Sequence, residues 1–365
     1  MATEALPAVA EPPDLGEAAR FWGPRYGVWA LIVAVVVAVG LLGPNAAQHG
    51  VVAAAYVIVG LSLNIILGYT GQLSLGHQGF VGAGALFAAY SATKVGLPFG
   101  PALVIGVAAG AAFALLLGFV ALRIRGLYLA LITLVFGLAL QVSLFQAPSL
   151  TNGGAGQPAN RPSSLLAPDR YYFVCLGITL LVMYLDYRLT KSKAGRAFIT
   201  IRDDERVASA FGINVTAYKL LAFVLCGATA GLAGGLLAFA SQQFNGNSYT
   251  FQLALTFVLM TVVGGVGSRS GVVVGSVLFA LLHDFLATFH PFISLTHVLP
   301  GQLSTNAQQF GPDLIGALLL LVTLAVNPGG IHAGIAPLMS WLRGGDFTRA
   351  DDGPASHGEG PSGRP

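Results

Sequence analysis

The sequence predicts an all-α polytopic membrane protein with about ten transmembrane helices, and three observations support this fold class. Hydrophobic residues make up 55% of the 365 residues, charged residues make up only 9%, and glycine occurs 48 times. A soluble domain carries about 25% charged residues to hydrate its surface, so this chain needs a lipid surrounding. Glycine lets helices approach closely in lipid, which favours the same class. The net charge of +3 is too small to indicate a nucleic-acid partner.

The chain contains ten apolar runs close to the length of about 17–25 residues that crosses a bilayer core. They lie at residues 27–43, 50–68, 78–93, 99–121, 127–146, 171–189, 217–240, 251–266, 270–289 and 310–327. Both ends of the chain are rich in proline, glycine and charge, which is typical of disorder. We therefore expect a disordered N-terminal tail at 1–25, a transmembrane domain at 26–330 and a mostly disordered C-terminal tail at 331–365.

The basic residues predict the orientation of these spans, because cytoplasmic loops are enriched in Lys and Arg. With ten spans and a cytoplasmic N-terminus, 15 of the 18 basic residues fall on the cytoplasmic side. The other three, Lys94, Arg161 and Arg170, fall on the outside. Both tails and the long loop at 190–216 are then cytoplasmic.

The segment between the second and third spans combines polar side chains with closely spaced glycines. Polar groups at membrane depth are costly unless they pair or line a wet cavity, and dense glycine indicates a broken helix. One hypothesis is that this segment lines or gates a solute path, and the alternative is a cytoplasmic turn whose polar residues are hydrated. The side chains assigned to the path are Asn64, Tyr69, Gln72, Ser74, His77 and Gln78.

The cytoplasmic loop at 190–216 predicts one short amphipathic helix. Ser192 is suited to cap its start, and Gly212 is suited to end it in a left-handed conformation. Glu205 interrupts an apolar side at helical spacing that consists of Phe198, Ile201, Ala208 and Phe211. Such a helix either lies among anionic headgroups at the membrane surface or docks in a cleft of another protein. Its three successive acidic residues disfavour simple lipid binding.

Two motifs point to a known family. The cytoplasmic loop contains Gly195-Arg196-Ala197, Ile201-Arg202-Asp203-Asp204-Glu205, Ala208 and Phe211-Gly212-Ile213-Asn214. The polar segment contains Gly68-Tyr69-Thr70-Gly71-Gln72-Leu73-Ser74-Leu75-Gly76-His77. With further motifs in the same order over about residues 26–330, the chain resembles the branched-chain amino-acid ABC transporter permease family, of the LivM type.

The resemblance implies an ABC importer permease fold in a bacterial cytoplasmic (inner) membrane, and a subunit that translocates branched-chain or related amino acids. It implies a homologous permease subunit, two ABC ATPase subunits that use ATP, an extracytoplasmic solute-binding protein and membrane lipid as partners. In this family the loop carries the coupling helix that sits on the ATP-binding subunit. The residues that this assigns to ATPase coupling are Gly195, Arg196, Ile201, Arg202, Asp203, Asp204, Glu205, Ala208 and Gly212.

The chain itself shows no sign of catalysis. No constellation of nucleophile, base and orienting group is evident, and no phosphate loop with its lysine is present, so ATP hydrolysis must come from another chain. We expect no catalytic residue, no metal site and no cofactor in this chain. Near the cytoplasmic end of the sixth span, Asp186 and Arg188 are expected to snorkel or to pair.

Two alternatives to amino-acid import stay open. Many relatives in the family carry an acid around the positions of Leu138 and Ala155, which are apolar here. A neutral solute such as urea or a short amide would suit a path that lacks those acids. An ion-coupled secondary transporter would instead need titratable groups at the bilayer midplane, where acidic residues are almost absent.

Overall fold

The computed structural model describes residues 33–122, 124, 126–288, 318 and 331. The chain divides into two units, one of residues 1–39 and 335–365 and one of Gly40–Gly334. In the first unit, the described residues 33–39 are helical. All contacts given below lie within the second unit.

The described part of the chain is mostly helical. Its helices are α1 at 33–41, α2 Pro44–Leu63, α3 His77–Thr93, α4 Phe99–Ala121, α5 Leu127–Val142, α6 Pro168–Lys191, α7 Lys193–Asp203, α8 Glu205–Ala210, α9 Val215–Ser241, α10 Phe251–Gly264 and α11 Arg269–Thr288. A π-helix, Asn64–Tyr69, continues α2 without a break. Short 3-10 turns lie at Leu144–Gln146, Ser163–Leu165 and Gly246–Ser248.

Among the described residues, five helical segments are long and apolar enough to cross a membrane. They are Pro44–Tyr69, Phe99–Ala121, Leu127–Gln146, Pro168–Lys191 and Val215–Ser241. Two shorter apolar helices, Phe251–Gly264 and Arg269–Leu281, follow them. The predicted helical membrane class is therefore confirmed for the described residues.

The predicted spans from 50–68 to 270–289 each coincide with one helix of the structure. The first predicted span, 27–43, is described only from residue 33. The tenth, at 310–327, lies outside the described residues except for Leu318, which is helical. The tail at 1–25 lies outside the described residues, and so does the tail at 331–365 apart from residue 331.

Helix α2 is the central element of the second unit. Pro44 stands at its first turn, where the missing N–H of proline costs nothing. The helix packs against α6, α9, α10 and α11. In the most apolar stretch of Pro44–Tyr69, 83% is buried inside the protein. A helix that is apolar all round and buried on most sides belongs at the centre of a bundle rather than at its lipid face.

Helices α4 and α9 cross through two pairs of glycines. Gly106 and Gly110 stand one turn apart on α4, and Gly227 and Gly231 do so on α9. A Cβ atom at Gly231 would lie 2.5 Å from the carbonyl oxygen of Gly106, which is closer than any real side chain comes. Small residues at this spacing let two backbones touch, as is common for helices in lipid.

The bundle has two ends of different charge. We call the end formed by residues 64–76, 186–219 and 265–269 the basic end, and the other the opposite end. The described basic residues at the basic end are Arg188, Lys191, Lys193, Arg196, Arg202, Arg206, Lys219 and Arg269. Those at the opposite end are Lys94, Arg161 and Arg170. This is the asymmetry that the span prediction implied.

The long connection between α5 and α6 is fastened to the opposite end. Strand β1, Gln157–Pro158, pairs antiparallel with β2, Gln243–Phe244, with Gln157 opposite Phe244. Arg161 Nε donates to the carbonyl oxygen of Phe239 at 2.7 Å, its Nη2 donates to that of Ala240, and its guanidinium lies 4.2 Å from the centroid of the Tyr171 ring. Burial lowers the pKa of Arg161 from its usual value. The cation thus caps the C-terminal carbonyls of α9.

Candidate functional site

The polar segment forms a break in the bundle at the basic end. Helix α2 widens into the π-helix, the chain turns at Gly71 with φ +69°, and α3 begins at His77. Asn64 Oδ1 accepts a 2.8 Å hydrogen bond from the N–H of Gly267, so the π-helix is joined to the turn before α11. Irregular backbone at such a position is tolerated only where protein or water satisfies it, and π-helices are frequent at functional sites.

The polar side chains of this segment are buried in the protein. Asn64, Ser74, His77 and Gln78 have almost no exposed surface, and Gln72 is 8% exposed. This burial disfavours the hydrated-turn alternative, because the side chains face protein and not bulk water. Their assignment to a solute path stays a prediction.

Two of the predicted path residues hold helices together. His77 Nε2 lies 2.8 Å from Ser62 Oγ, and Ser62 donates its own proton to the carbonyl oxygen of Cys226 at 2.7 Å. His77 is therefore the donor to Ser62, and it ties α3 to α2 and α9. The Tyr69 hydroxyl lies 3.1 Å from both oxygens of Asp186 on α6.

Other predicted path residues have polar atoms without a partner among the described residues. These atoms are Asn64 Nδ2, Gln72 Nε2, Ser74 Oγ and both Nε2 and Oε1 of Gln78. A buried polar atom without a hydrogen bond costs about 1–3 kcal/mol. A cluster of them on one segment indicates a place where water or a polar solute completes the bonding.

Ser276 on α11 joins this group of unpartnered polar atoms, although the sequence did not single it out. Its Oγ is buried without a hydrogen-bond partner in the described structure, and it faces Gly60 of α2. The available signal was a serine in the middle of an apolar helix. Such residues usually bond to their own backbone carbonyls, so the sequence alone could not distinguish it.

An ion pair at the basic end joins α6 to α11. Asp186, whose side chain is only 2% exposed, pairs with Arg269, and Arg269 Nη2 also donates to Thr190 Oγ1 at 2.8 Å. The expectation that Asp186 snorkels or pairs is confirmed as a pair, and its partner is Arg269 of α11. Asp186 faces the bundle interior, whereas Arg188 on the same helix is exposed.

The loop at 190–216, predicted to be cytoplasmic, folds into two helices, not the single helix that was predicted. Ser192 Oγ accepts from the N–H of Gly195 at 3.2 Å and caps α7, as expected. Asp204 then leaves the helical conformation, with φ −159°, and its carboxylate accepts from the N–H of Arg206 at 2.7 Å to cap α8. Gly212 ends the second helix with φ +77°, also as expected. The sequence reading missed that Asp204 can cap a new helix.

The break at Asp204 divides the predicted apolar side. Phe198, Ile201 and Ala208 are buried, and Phe198 packs with Ile65 and Tyr69 of the π-helix. Phe211 is 79% exposed, so its placement on the same buried side was wrong. It lies just beyond the end of α8. Because α7 and α8 are separate helices, the helical spacing that starts in α7 does not predict on which side Phe211 lies.

The residues assigned to ATPase coupling also fall into two sets. Buried ones are Gly195, Ile201 and Ala208, and exposed ones are Arg196, Arg202, Asp203, Asp204 and Gly212. Glu205 is half-buried and forms an ion pair with Lys219 of α9. The buried set positions the loop against the bundle, and only the exposed set is accessible to another protein.

Arg202 connects the two candidate segments. Its Nη1 donates to the carbonyl oxygen of Gly68 at 3.0 Å, and its Nη2 lies 3.3 Å from Asp203 Oδ1. A Cβ atom at Gly71 would lie 2.9 Å from Arg202 Cγ, so the turn after the π-helix needs glycine both for its φ and for this contact. A movement of α7 would therefore act directly on the π-helix.

No cluster of three or more His, Cys, Asp or Glu residues that could hold a metal ion occurs within the described part of the chain. Cys175 and Cys226 are both buried and unbonded to one another. The polar segment instead carries amide and hydroxyl groups, which can form hydrogen bonds to a solute or to water.

The comparisons with known proteins agree with the motifs. The sequence profile described as "Branched-chain amino acid transport system / permease component" matches residues 45–325. The chain is 31% identical over 268 residues to the high-affinity branched-chain amino acid transport system permease protein LivM of Salmonella typhimurium, and 30% identical over 268 residues to LivM of Escherichia coli. Each alignment covers 66% of this chain and 63% of the relative, so the chain spans less than two thirds of their length.

A relative named for a different solute also matches. The autoinducer 2 import system permease protein LsrC of Yersinia pestis is 30% identical over 234 residues, which cover 61% of this chain and 62% of that protein. No solved structure matches the chain. The match over residues 45–325 confirms the family expected from the motifs, and the chain belongs to the branched-chain amino acid transport permease family of multi-pass membrane proteins.

Proposed function

We propose that this chain is the permease subunit of an ABC importer that moves branched-chain or related amino acids across the bacterial cytoplasmic membrane. The family match and the buried, unpartnered amides of the polar segment support this assignment. The chain would cross the membrane ten times, with both tails and the basic end in the cytoplasm, where the positive-inside rule places basic loops. The ATP would be used by partner subunits, with no cofactor in this chain.

The observation that carries the proposal is the Gln78 amide. It is fully buried, and neither its nitrogen nor its oxygen finds a partner among the described residues. It stands in the first turn of α3, next to the break in the bundle and against Gly137 of α5. An amide that can both donate and accept suits a solute with an ammonium and a carboxylate group.

Coupling to the ATPases would act through the contact of Arg202 with Gly68. Closure of the ATP-binding subunits would move α7 and α8, and Arg202 and Phe198 would pass this movement to the π-helix. The spans would then repack and expose the path on the other side, which is alternating access. A homologous permease, two ABC ATPases and an extracytoplasmic solute-binding protein would complete the transporter.

The path is tested by replacing Gln78 with leucine in the whole transporter. An unpartnered buried amide gains nothing structurally, so Q78L should keep or slightly raise the melting temperature while uptake falls at least about tenfold. The matched control is T179V on α6, which removes a hydroxyl that donates to the carbonyl of Cys175 at 2.9 Å. It should lower stability slightly and leave uptake intact. Normal uptake by Q78L would refute the path assignment.

The coupling surface is tested by placing a charge on Phe211. The F211D substitution should abolish co-purification of the ATPase and uptake without lowering the melting temperature, because Phe211 is already exposed. The control V95D puts the same charge on an exposed apolar residue at the opposite end and should change neither. Retention of the ATPase by F211D would contradict the docking role of this loop.

A neutral solute such as urea or a short amide is the second candidate. The polar segment carries amides and hydroxyls without a carboxylate, and the similarity to a permease named for autoinducer 2 import supports a solute other than an amino acid. Calorimetry with the partner solute-binding protein separates the candidates. Binding of leucine, isoleucine or valine in the micromolar range supports the first, whereas binding of urea alone supports the second.

An ion-coupled secondary transporter would need no ATPase. Uptake by cells or vesicles distinguishes this class directly. Import that continues after a protonophore collapses the ion gradient, but stops when ATP is depleted, supports the ABC assignment. The reverse pattern would overturn it.

A further inference from the structure

A groove opens at the basic end between α2 with its π-helix, α6 and α9. Its volume is about 820 Å³, which is within the range of small-molecule sites. Its wall is aliphatic and consists of Leu61, Ile65, Val182, Leu185 and Leu225. Thr229 adds a hydroxyl that is already bonded to the carbonyl of Leu225 at 2.8 Å. The inner part of the groove is therefore apolar.

The mouth of the groove is cationic. Arg188 and Lys191 line it from the last turn of α6, and Ser192, which caps α7, lies beside them. The stretch 187–202 contains no acidic residue. Asp186 also lines the groove, but it is engaged by Arg269 and by the Tyr69 hydroxyl. The exposed charge at the mouth is therefore positive.

The ring of Tyr187 lies next to two cations at the mouth of the groove. The Lys191 ammonium lies 4.4 Å from the centroid of the Tyr187 ring, and the Arg269 guanidinium lies 5.3 Å from it. Ser192 begins α7, so the positive end of that helix dipole adds to the same region. Aromatic and basic side chains together at a helix end are typical of the headgroup layer.

The depth of the groove matches one leaflet. Val182 and Lys191 both line it and stand nine residues apart on α6. At 1.5 Å per residue this corresponds to about 14 Å along the helix axis. A hydrocarbon core about 30 Å thick has leaflets of about 15 Å. A phospholipid whose acyl chain ended beside Val182 would thus have its headgroup at Arg188 and Lys191.

We propose that this groove binds one anionic phospholipid, with an acyl chain along α6 and the phosphate at Arg188 and Lys191. A soluble anion would gain nothing from the aliphatic wall, and a zwitterionic lipid would gain little from the cations. A lipid seated between α2, α6 and α9 bridges the central helix to the α6–α7 corner. None of the residues that line the groove is among those assigned to the solute path, and the proposal does not depend on which solute is transported.

Native mass spectrometry of the purified full chain tests this site with phosphatidylglycerol and phosphatidylcholine of the same acyl composition. The wild type should bind one phosphatidylglycerol at least about tenfold more tightly than phosphatidylcholine. The double variant R188Q/K191Q should lose about tenfold to thirtyfold of that affinity. The matched control K193Q/R206Q removes two exposed cations of the same end that do not line the groove, and it should retain binding.

Thermal unfolding provides an independent readout if a variant is poorly folded. Phosphatidylglycerol should raise the melting temperature of the wild type and of K193Q/R206Q but not that of R188Q/K191Q, since a ligand of the native state stabilises it. Equal binding of the two lipids, or equal loss in both double variants, would overturn the proposal. Displacement of phosphatidylglycerol by millimolar inorganic phosphate would also overturn it, because the ligand would then be a soluble anion.

Discussion

Replacing Arg269 with methionine removes the cation that neutralises the Asp186 carboxylate. The Asp186 side chain is 2% exposed, whereas that of Arg269 is 24% exposed. In R269M the carboxylate keeps only the Tyr69 hydroxyl, at 3.1 Å. Breaking a buried ion pair from one side costs about 3–5 kcal/mol. Unfolding entropy of about 2.1 cal/mol/K per residue gives roughly 1.3 °C per kcal/mol for a chain of this length, so the melting temperature should fall by about 4–7 °C.

The reciprocal and double variants separate the charge from the packing. D186N leaves Arg269 partly in water, so its cost should be only about 1 kcal/mol. The double variant D186N/R269M removes both charges and should recover to within about 1–1.5 kcal/mol of the wild type. The two cysteines of the chain, Cys175 and Cys226, are both buried and free. A maleimide dye that fluoresces on reaction with thiols therefore reports the unfolding of the purified protein.

The control is K193M, which removes an exposed cation close to the same corner and should leave the melting temperature within about 1 °C. A wild-type melting temperature for R269M would show that Asp186 is not confined to the protein interior. A double variant as unstable as R269M would show that the methionine disturbs packing and that the charge is unimportant. Either result would refute the reasoning.

Three further changes have outcomes that follow from the structure. G231L should lower the free energy of unfolding by at least about 3 kcal/mol or prevent folding, since its side chain would meet the backbone of α4. G177L should be tolerated, because no atom lies within 4 Å of the position of its Cβ. R161A should cost about 3 kcal/mol, because it leaves two carbonyls at the end of α9 without their charged donor, and limited proteolysis should then cut the 147–167 connection faster. D204A should cost about 1 kcal/mol and speed amide hydrogen exchange in α8, whereas D203A should change it little.

The helical membrane fold was predictable because apolar run length is a strong signal in lipid. Runs such as 99–121 and 127–146 match the observed helices within a few residues. The tight crossing of α4 and α9 was not predicted in detail. Glycines such as Gly106 and Gly231 indicate close packing, but they do not indicate which helix is the partner. Which helix stands at the centre depends on tertiary contacts.

The candidate site was predicted by residue type but not by contact. The sequence identified Gln78 and Asn64 as costly polar residues at membrane depth, and they are buried as that argument requires. It could not show that Asp186 pairs with Arg269, since 83 residues separate them. It also placed Phe211 with Phe198, because a periodicity argument assumes one continuous helix and Asp204 interrupts it.

Helix α2 and its π-helix form one continuous helical segment of 26 residues, from Pro44 to Tyr69. Its length is about 35–40 Å at helical rise. One end is held by Arg202 at Gly68, and at the other end Gln48 Nε2 donates to the carbonyl oxygen of Ala240 at 3.2 Å. A tilt of about 5° pivoted at one end would displace the far end by about 3 Å over such a length. A small displacement of the basic end at Arg202 would thus move the other end of α2, beside the connection between α5 and α6.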